Sequence, residues 1–374
     1  MKHHPLWSHG LAERLSTLNP ETLRIAYIAP KPDFGTFRYR CFNPVVALNT
    51  YSRDISASYF FYSDLEIIDD LSDYADILVA IRTPYSAPIN QLFRRFRNRG
   101  KPVFFDIDDL VFDTRYASLV ASNLGDLLEE SHLNQWTAFI ANVGIALGMS
   151  DGVITTNDYL AERIRDFSDL PVAVVPNTFN STQAEASLHH KGPRTSPGTG
   201  LNVGYFSGSS THSQDFDVVT DSLASFLDKS SNSHLTIVGH LEIPRRLKPF
   251  SSRITQMPFM DFAEMQRVLG SINLNIVPLQ TTPFTYSKSE LKFFEAALVG
   301  TPTLATSTPV FANAINNGQT GFLTDNTGWE PALLSIADLE PEKLEKIGEA
   351  ARGEVHKSYS PQFLANTLTK YFTK

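Results

Sequence analysis

The chain has 374 residues, of which 42% are hydrophobic and 19% charged, the composition of a globular protein rather than a disordered one. That length has room for two domains with a substantial core. A formal net charge of −8 argues against a nucleic acid polymer as the main partner, and the single cysteine, Cys41, excludes an intrachain disulfide and a cysteine-rich metal centre. The opening "MKHHPLWSHGLAERL" lacks the apolar core of a signal peptide, and no apolar run reaches the roughly 20 residues of a membrane span. A cytoplasmic location is therefore expected.

Short apolar runs alternate with helical patterns in the first half. "LRIAYIA" (23–29), "ISASYFF" (55–61), "DILVAI" (76–81), "PVFFDI" (102–107), "GVITT" (152–156) and "VAVVP" (172–176) read as strands. "PINQLFRRFRNRG" reads as a helix with a terminal glycine, and Leu133, Trp136, Ile140, Val143 and Leu147 follow the spacing of a helix with one buried face. The polar stretch 181–200, rich in Ser, Thr, Gly and Pro, predicts a linker. Beyond it the alternation restarts with "LNVGYFSG", "HLTIVG", "RITQMPF", "LNIVPL", "TPTLAT" and "GFLTD". Alternating strands and helices predict an α/β protein with two doubly wound, Rossmann-like domains facing each other across a cleft. Parallel sheets bind ligands at the carboxyl ends of their strands, so the loops that follow strands are where chemistry is sought.

Four such loops carry candidates. "GTFRYRCFN" (35–43) follows the first strand. Its Arg38 and Arg40 point the same way if the chain is extended and onto different faces if it is helical. Arginines of this kind pair bidentately with phosphate or carboxylate, and a plain surface role fits as well. Arg82 in "VAIRTPYS" also follows a strand. In "VFFDIDDLVFDT" (103–114), Asp106, Asp108 and Asp109 close a strand. Three readings fit: a phosphatase nucleophile loop, a metal-binding Asp-x-Asp, and an acid/base loop that orients or deprotonates a hydroxyl. In "VGYFSGSSTHSQDF" (203–216), the small residues Gly208, Ser209 and Ser210, with Thr211 and His212, precede a helix whose N-terminus favours a diphosphate.

"FTYSKSELKFFEAALVGTP" (284–302) predicts a helix from about Ser287 to Gly300, with Leu291, Phe294 and Leu298 as its buried stripe. Lys288, Lys292 and Glu295 then share another face. Like charges at i, i+4 repel, and lysines in a first turn oppose the helix dipole; an anion at this end removes both penalties.

"KSELKFFEAALVGTPTLAT", followed by "NNGQTGFLTDNTGWEPAL", resembles the donor-binding part of GT-B glycosyltransferases, in particular glycosyltransferase family 4. That family's pattern is a Glu, seven residues, a second Glu, a small-residue stretch and Gly-x-Pro. Glu295, Gly300 and Pro302 match it; the first Glu falls on Ser287, a departure at the usual donor-sugar contact. The resemblance implies that Glu295 binds the ribose of a nucleotide and that Ser287, Lys288, Ser289 and Lys292 lie on the donor side. The loop 204–216 is similar to that of a bacterial surface-polysaccharide subgroup that includes rhamnosyltransferases. It lacks the usual Arg and Lys, whose charge Lys288 and Lys292 would supply.

The resemblance covers nearly the whole chain. It implies an acceptor domain over 1–180, the linker 181–200, a donor domain over 201–355, and a C-terminal helix over 356–374 that returns to the first domain. It further implies a retaining hexosyltransferase of polysaccharide biosynthesis that uses a nucleotide-diphosphate sugar as co-substrate. No metal or other cofactor is essential on this reading. The acceptor would be a glycan or lipid-linked glycan, reached peripherally at the inner face of the plasma membrane. The subgroup carries a similar Asp-Ile-Asp-Asp loop on the acceptor side, and the loop after the first strand lines that side too. A nucleotide-sugar epimerase of the same architecture is the alternative. "FFDIDDLVFDT" also resembles the first motif of haloacid-dehalogenase-type phosphatases, but Leu110 and Asp109 depart from it.

Overall fold

A computed structural model describes residues 9–32, 35–123, 129–190, 200–208 and 213–373. The chain divides into two compact units. The first comprises Met1–Val120, Glu129–Asn180 and Tyr359–Lys374, and the second comprises Ala121–Leu128 and Ser181–Ser358.

Each unit is built on a six-stranded parallel sheet. The first contains β1 (Leu23–Ala29), β2 (Ile55–Phe61), β3 (Ile77–Ile81), β4 (Val103–Ile107), β5 (Gly152–Thr155) and β6 (Val172–Val174), in the order β2-β1-β3-β4-β5-β6. The second contains β7 (Asn202–Ser207), β8 (His234–Gly239), β9 (Ile254–Met257), β10 (Leu274–Val277), β11 (Thr303–Thr306) and β12 (Phe322–Thr324), in the order β12-β11-β10-β7-β8-β9. All twelve strands fall on the apolar runs read from the sequence. β1, β3 and β5 are buried along most or all of their length, as expected of parallel strands covered on both faces. Strand order reverses between β1 and β3 in one sheet and between β7 and β10 in the other, and ligand crevices of doubly wound folds open at such points.

Ile25, Tyr27, Val79 and Ile81 of the first sheet pack against Val45 and Leu48 of helix Asn43–Tyr51. Leu364, Ala365 and Leu368 of the final helix, Pro361–Phe372, join the same core, and Tyr371 and Phe372 meet the Phe104 ring edge-on at 5.4 and 5.6 Å. The second core gathers Val203, Tyr205, Leu235, Ile237 and Ile276 with Phe216, Leu223 and Trp329 from its helices. Among the described residues no helix is long and apolar enough to cross a membrane.

Two local expectations change. A helix, Ser181–Leu188, occupies the start of the stretch read as a linker. Its inward residues are Gln183 and Ser187, both buried, so no apolar period announced it. The helix expected from Ser287 to Gly300 is broken. A single turn, Pro283–Tyr286, is capped by Thr282, whose Oγ1 accepts from the Thr285 N–H at 3.2 Å. Helix Leu291–Ala297 follows as a separate element, and Gly300 ends the segment at φ +76°.

Candidate functional site

The first unit gathers its candidates where strand order reverses. After β1 the chain enters a π-type helical turn, Phe37–Phe42, in which all six residues are buried. This decides the helical alternative for Arg38 and Arg40. Arg40 points inward, with 2% of its surface exposed, and grips Asp106 with two parallel bonds, Nε to Oδ1 at 2.7 Å and Nη2 to Oδ2 at 2.8 Å. Its Nη1 donates to the Val175 carbonyl at 2.8 Å and to Asn177 Oδ1 at 3.1 Å. Arg40 therefore binds the π turn to β4 and to the chain beyond β6, and it is not a surface arginine open to an acidic group. Arg38 is also buried.

Asp106 stands on β4 in register with Ile81 of β3, 3% exposed, with both oxygens engaged by Arg40. Burial, opposed by Arg40, leaves its carboxyl above the usual carboxylate range. A carboxylate held this way is not available as the attacking group of a phosphatase.

Asp108 and Asp109 are more open. Both pair with Arg82, whose Nε also donates to Asp108 Oδ1 at 2.9 Å. Thr36 Oγ1 donates to Asp108 Oδ2 at 2.9 Å. Burial works against the Arg82 charge, but the two carboxylates outweigh it and hold the guanidinium above its ordinary value. Arg82 has φ +41°, and it is the one residue other than glycine with positive φ among those described. Its N–H donates to the Asp106 carbonyl at 2.8 Å, so the strained backbone is fixed by β4 while the side chain is fixed by the loop that follows.

The second unit places its candidates at the β7/β10 reversal. Gly208 follows β7; Ser209, Ser210, Thr211 and His212 lie outside the described residues. In the next helix, Ser213–Lys229, Asp215 is buried in the first turn and accepts from the Gln280 N–H at 3.2 Å. That contact joins the helix to the segment after β10.

Ser287 is buried and donates to the Pro283 carbonyl at 2.8 Å, a contact that ties it to its own turn. Lys288 and Ser289 lie between the two helical pieces, so Lys288 does not share the helix face with Lys292 and Glu295. Its Nζ sits 4.6 Å above the Phe284 ring, while Lys292 Nζ sits 5.1 Å above the Tyr205 ring. Burial pushes the Lys292 ammonium down to about 8; the Asp215 carboxylate pulls it back up, Lys288 pushes it further down and Glu295 pulls it up. Glu295 lies one turn along the same helix, mostly buried. A cation held this way gains from an anion placed beside it.

Several participants were not singled out from the sequence. Asp215 had a visible signal, an acid in the first turn after a small-residue loop. Thr36, Asn177 and Gln280 had none, because each acts through a contact distant in the chain.

Residues 201–337 match the family described as Glycosyl transferases group 1. No curated protein matches the chain in sequence. Among solved structures, the chain is similar to HepE from Anabaena in complex with UDP and glucose (TM-score 0.63, 13% identity, covering 94% of this chain and 99% of that one). It is also similar to sucrose-phosphate synthase from Thermosynechococcus elongatus (0.60, 16%, 94% and 98%). A third likeness is to a putative UDP-N-acetylglucosamine 2-epimerase from Listeria monocytogenes (0.52, 14%, 94% and 97%). With two six-stranded parallel sheets, the fold is the GT-B fold of glycosyltransferases. The family match falls on the unit that carries Lys288, Lys292 and Glu295.

Proposed function

We propose that this protein is a glycosyltransferase that moves a sugar from a nucleoside-diphosphate sugar to an acceptor hydroxyl. The observation that carries the reading is the match of residues 201–337 to Glycosyl transferases group 1, in the unit where Lys292 and Glu295 share the helix Leu291–Ala297. In the reaction the bond between the anomeric carbon and the diphosphate oxygen breaks, and the acceptor oxygen takes its place on that carbon. Lys288 and Lys292 stabilise the charge on the departing diphosphate, and Glu295 accepts from the ribose hydroxyls. Ser287 and Ser289 flank the same segment. In the first unit, Asp108 and Asp109 accept from the acceptor hydroxyl, one of them takes its proton, and Arg82 fixes their orientation. Asp106 and Arg40 hold the loop in place.

We assign retention of configuration, a metal-independent donor site and a glycan or lipid-linked acceptor in surface-polysaccharide synthesis on the resemblance to family 4 and its polysaccharide subgroup. The two lysines fit a metal-independent site, since they supply positive charge beside the diphosphate. UDP is the first nucleotide to test, because HepE is bound to UDP and glucose in its structure. A donor screen by thermal shift and hydrolysis, with and without EDTA, tests the reading. Stabilisation by one nucleotide family that survives EDTA supports it, and stabilisation abolished by EDTA contradicts it. The likeness to an epimerase keeps one second reading, in which the donor sugar is converted with no acceptor present.

A further inference from the structure

Gln266 is fully buried in helix Phe262–Leu269, and its amide lies among three helices. Its Nε2 donates to the backbone carbonyl of Glu295 at 3.1 Å, and its Oε1 accepts from Ser187 Oγ at 3.0 Å. Ser187 Oγ also donates to the Gln183 carbonyl of its own helix at 2.7 Å, so its one hydrogen is shared between the two acceptors. The amide's orientation follows from its partners, since a carbonyl only accepts and must face the nitrogen.

The carbonyl of Glu295 belongs to the last turn of Leu291–Ala297, where carbonyls run out of helical donors. An unbroken α-helix would aim the Val299 N–H at it, but that N–H donates to Ala296 at 3.2 Å. Gln266 supplies a donor there. The helix that holds Ser187 begins at Ser181, directly after Asn180, the residue at which the first unit's middle stretch ends. One buried amide thus joins the segment by which the chain enters the second unit to the turn that carries Glu295.

We infer that Gln266 is a positioning residue for Glu295: by holding the last turn of Leu291–Ala297 to the helix Ser181–Leu188, it sets where the Glu295 carboxylate meets the ribose hydroxyls of a nucleoside diphosphate. This rests on the donor-site reading above. A Gln that only packed the core would alter stability without altering the preference for a ribose 3′-hydroxyl.

The test is calorimetric titration of the full chain with UDP, GDP, ADP and dTDP, and with the 3′-deoxy counterpart of whichever binds best. The parent protein should prefer the 3′-hydroxyl form by about 10–100-fold, the range for a hydrogen bond to a charged group. Gln266→Met, similar in length but unable to hydrogen-bond at the amide positions, should narrow that preference to about threefold while binding of inorganic pyrophosphate persists. Ser187→Ala, the milder change, should narrow it in part and decides the matter if Gln266→Met does not fold. An undiminished preference in folded variants overturns the inference and leaves the donor site standing. Failure of every nucleotide to bind the parent protein overturns the donor-site reading, and this inference with it.

Discussion

The two units treat charge in opposite ways at equivalent places. In the first, Arg40 meets Asp106 and Arg82 meets Asp108 and Asp109, so the cations at the β1/β3 reversal are compensated by carboxylates of β4 and the loop that follows it. In the second, Lys288 and Lys292 lie over aromatic rings at the β7/β10 reversal, and neither forms a salt bridge with a described residue. Compensated guanidinium groups act as framework. Burial disfavours the Lys292 ammonium more than the nearby Asp215 and Glu295 carboxylates offset, a cost that an anion placed beside it relieves. The same sheet topology therefore carries ion-paired arginines in one unit and lysines set over aromatic rings in the other.

The largest effect should come from breaking the framework. Arg40→Met or Asp106→Asn leaves a buried charge or its hydrogen-bonding partners uncompensated and should destabilise the protein by about 3–5 kcal/mol in urea unfolding. The double variant should cost less than the two single costs added, because the partners fail together. A cost below about 1 kcal/mol for either single change would show that the pair is not framework. Lys292→Met is the opposite experiment. It should weaken nucleoside-diphosphate binding by about 10–100-fold, the loss of one charge-assisted contact. Because it removes a half-buried ammonium with a depressed pKa, stability at neutral pH should hold or rise. Loss of stability with unchanged affinity would reverse the comparison. Asp109→Asn should have the smallest effect on folding, at most about 1 kcal/mol for a pair that is partly exposed. Acceptor transfer should fall while acceptor-free donor hydrolysis is kept, which rates of the two reactions on one preparation will separate.

All twelve strands were legible because each is a short apolar run with a Gly, Pro, Asp or Ser within three residues of its end. Helix boundaries were less so. Lys288 fell outside the helix expected to carry it because Thr282 and Pro283 start an earlier turn, and a spacing argument does not see which of two caps wins. Helix Ser181–Leu188 was hidden by its polar interior, whose Gln183 and Ser187 have the composition of a linker and the burial of a core. For the site, residue types and loops were readable, but depth was not. Nothing in "GTFRYRCFN" tells that Arg40 reaches a carboxylate 66 positions along the chain. The aspartates of 106–109 looked alike in sequence, and register on β4 separates the buried Asp106 from the open pair.

The central claim, that Lys292 is the titrating cation of an anion site, is tested most directly by nucleoside-diphosphate affinity measured from pH 6.5 to 9.5. In the free protein the Lys292 ammonium sits at about 8, and a bound diphosphate would raise it, so binding takes up a proton above that pH. Affinity should therefore be flat below about pH 8 and fall by up to about tenfold per pH unit above it, while Lys292→Arg, charged throughout, stays level. Over the same interval the free protein should gain stability as pH rises, because a depressed lysine pKa penalises folding only while the lysine is protonated. Matching profiles for the parent and Lys292→Arg would contradict the claim.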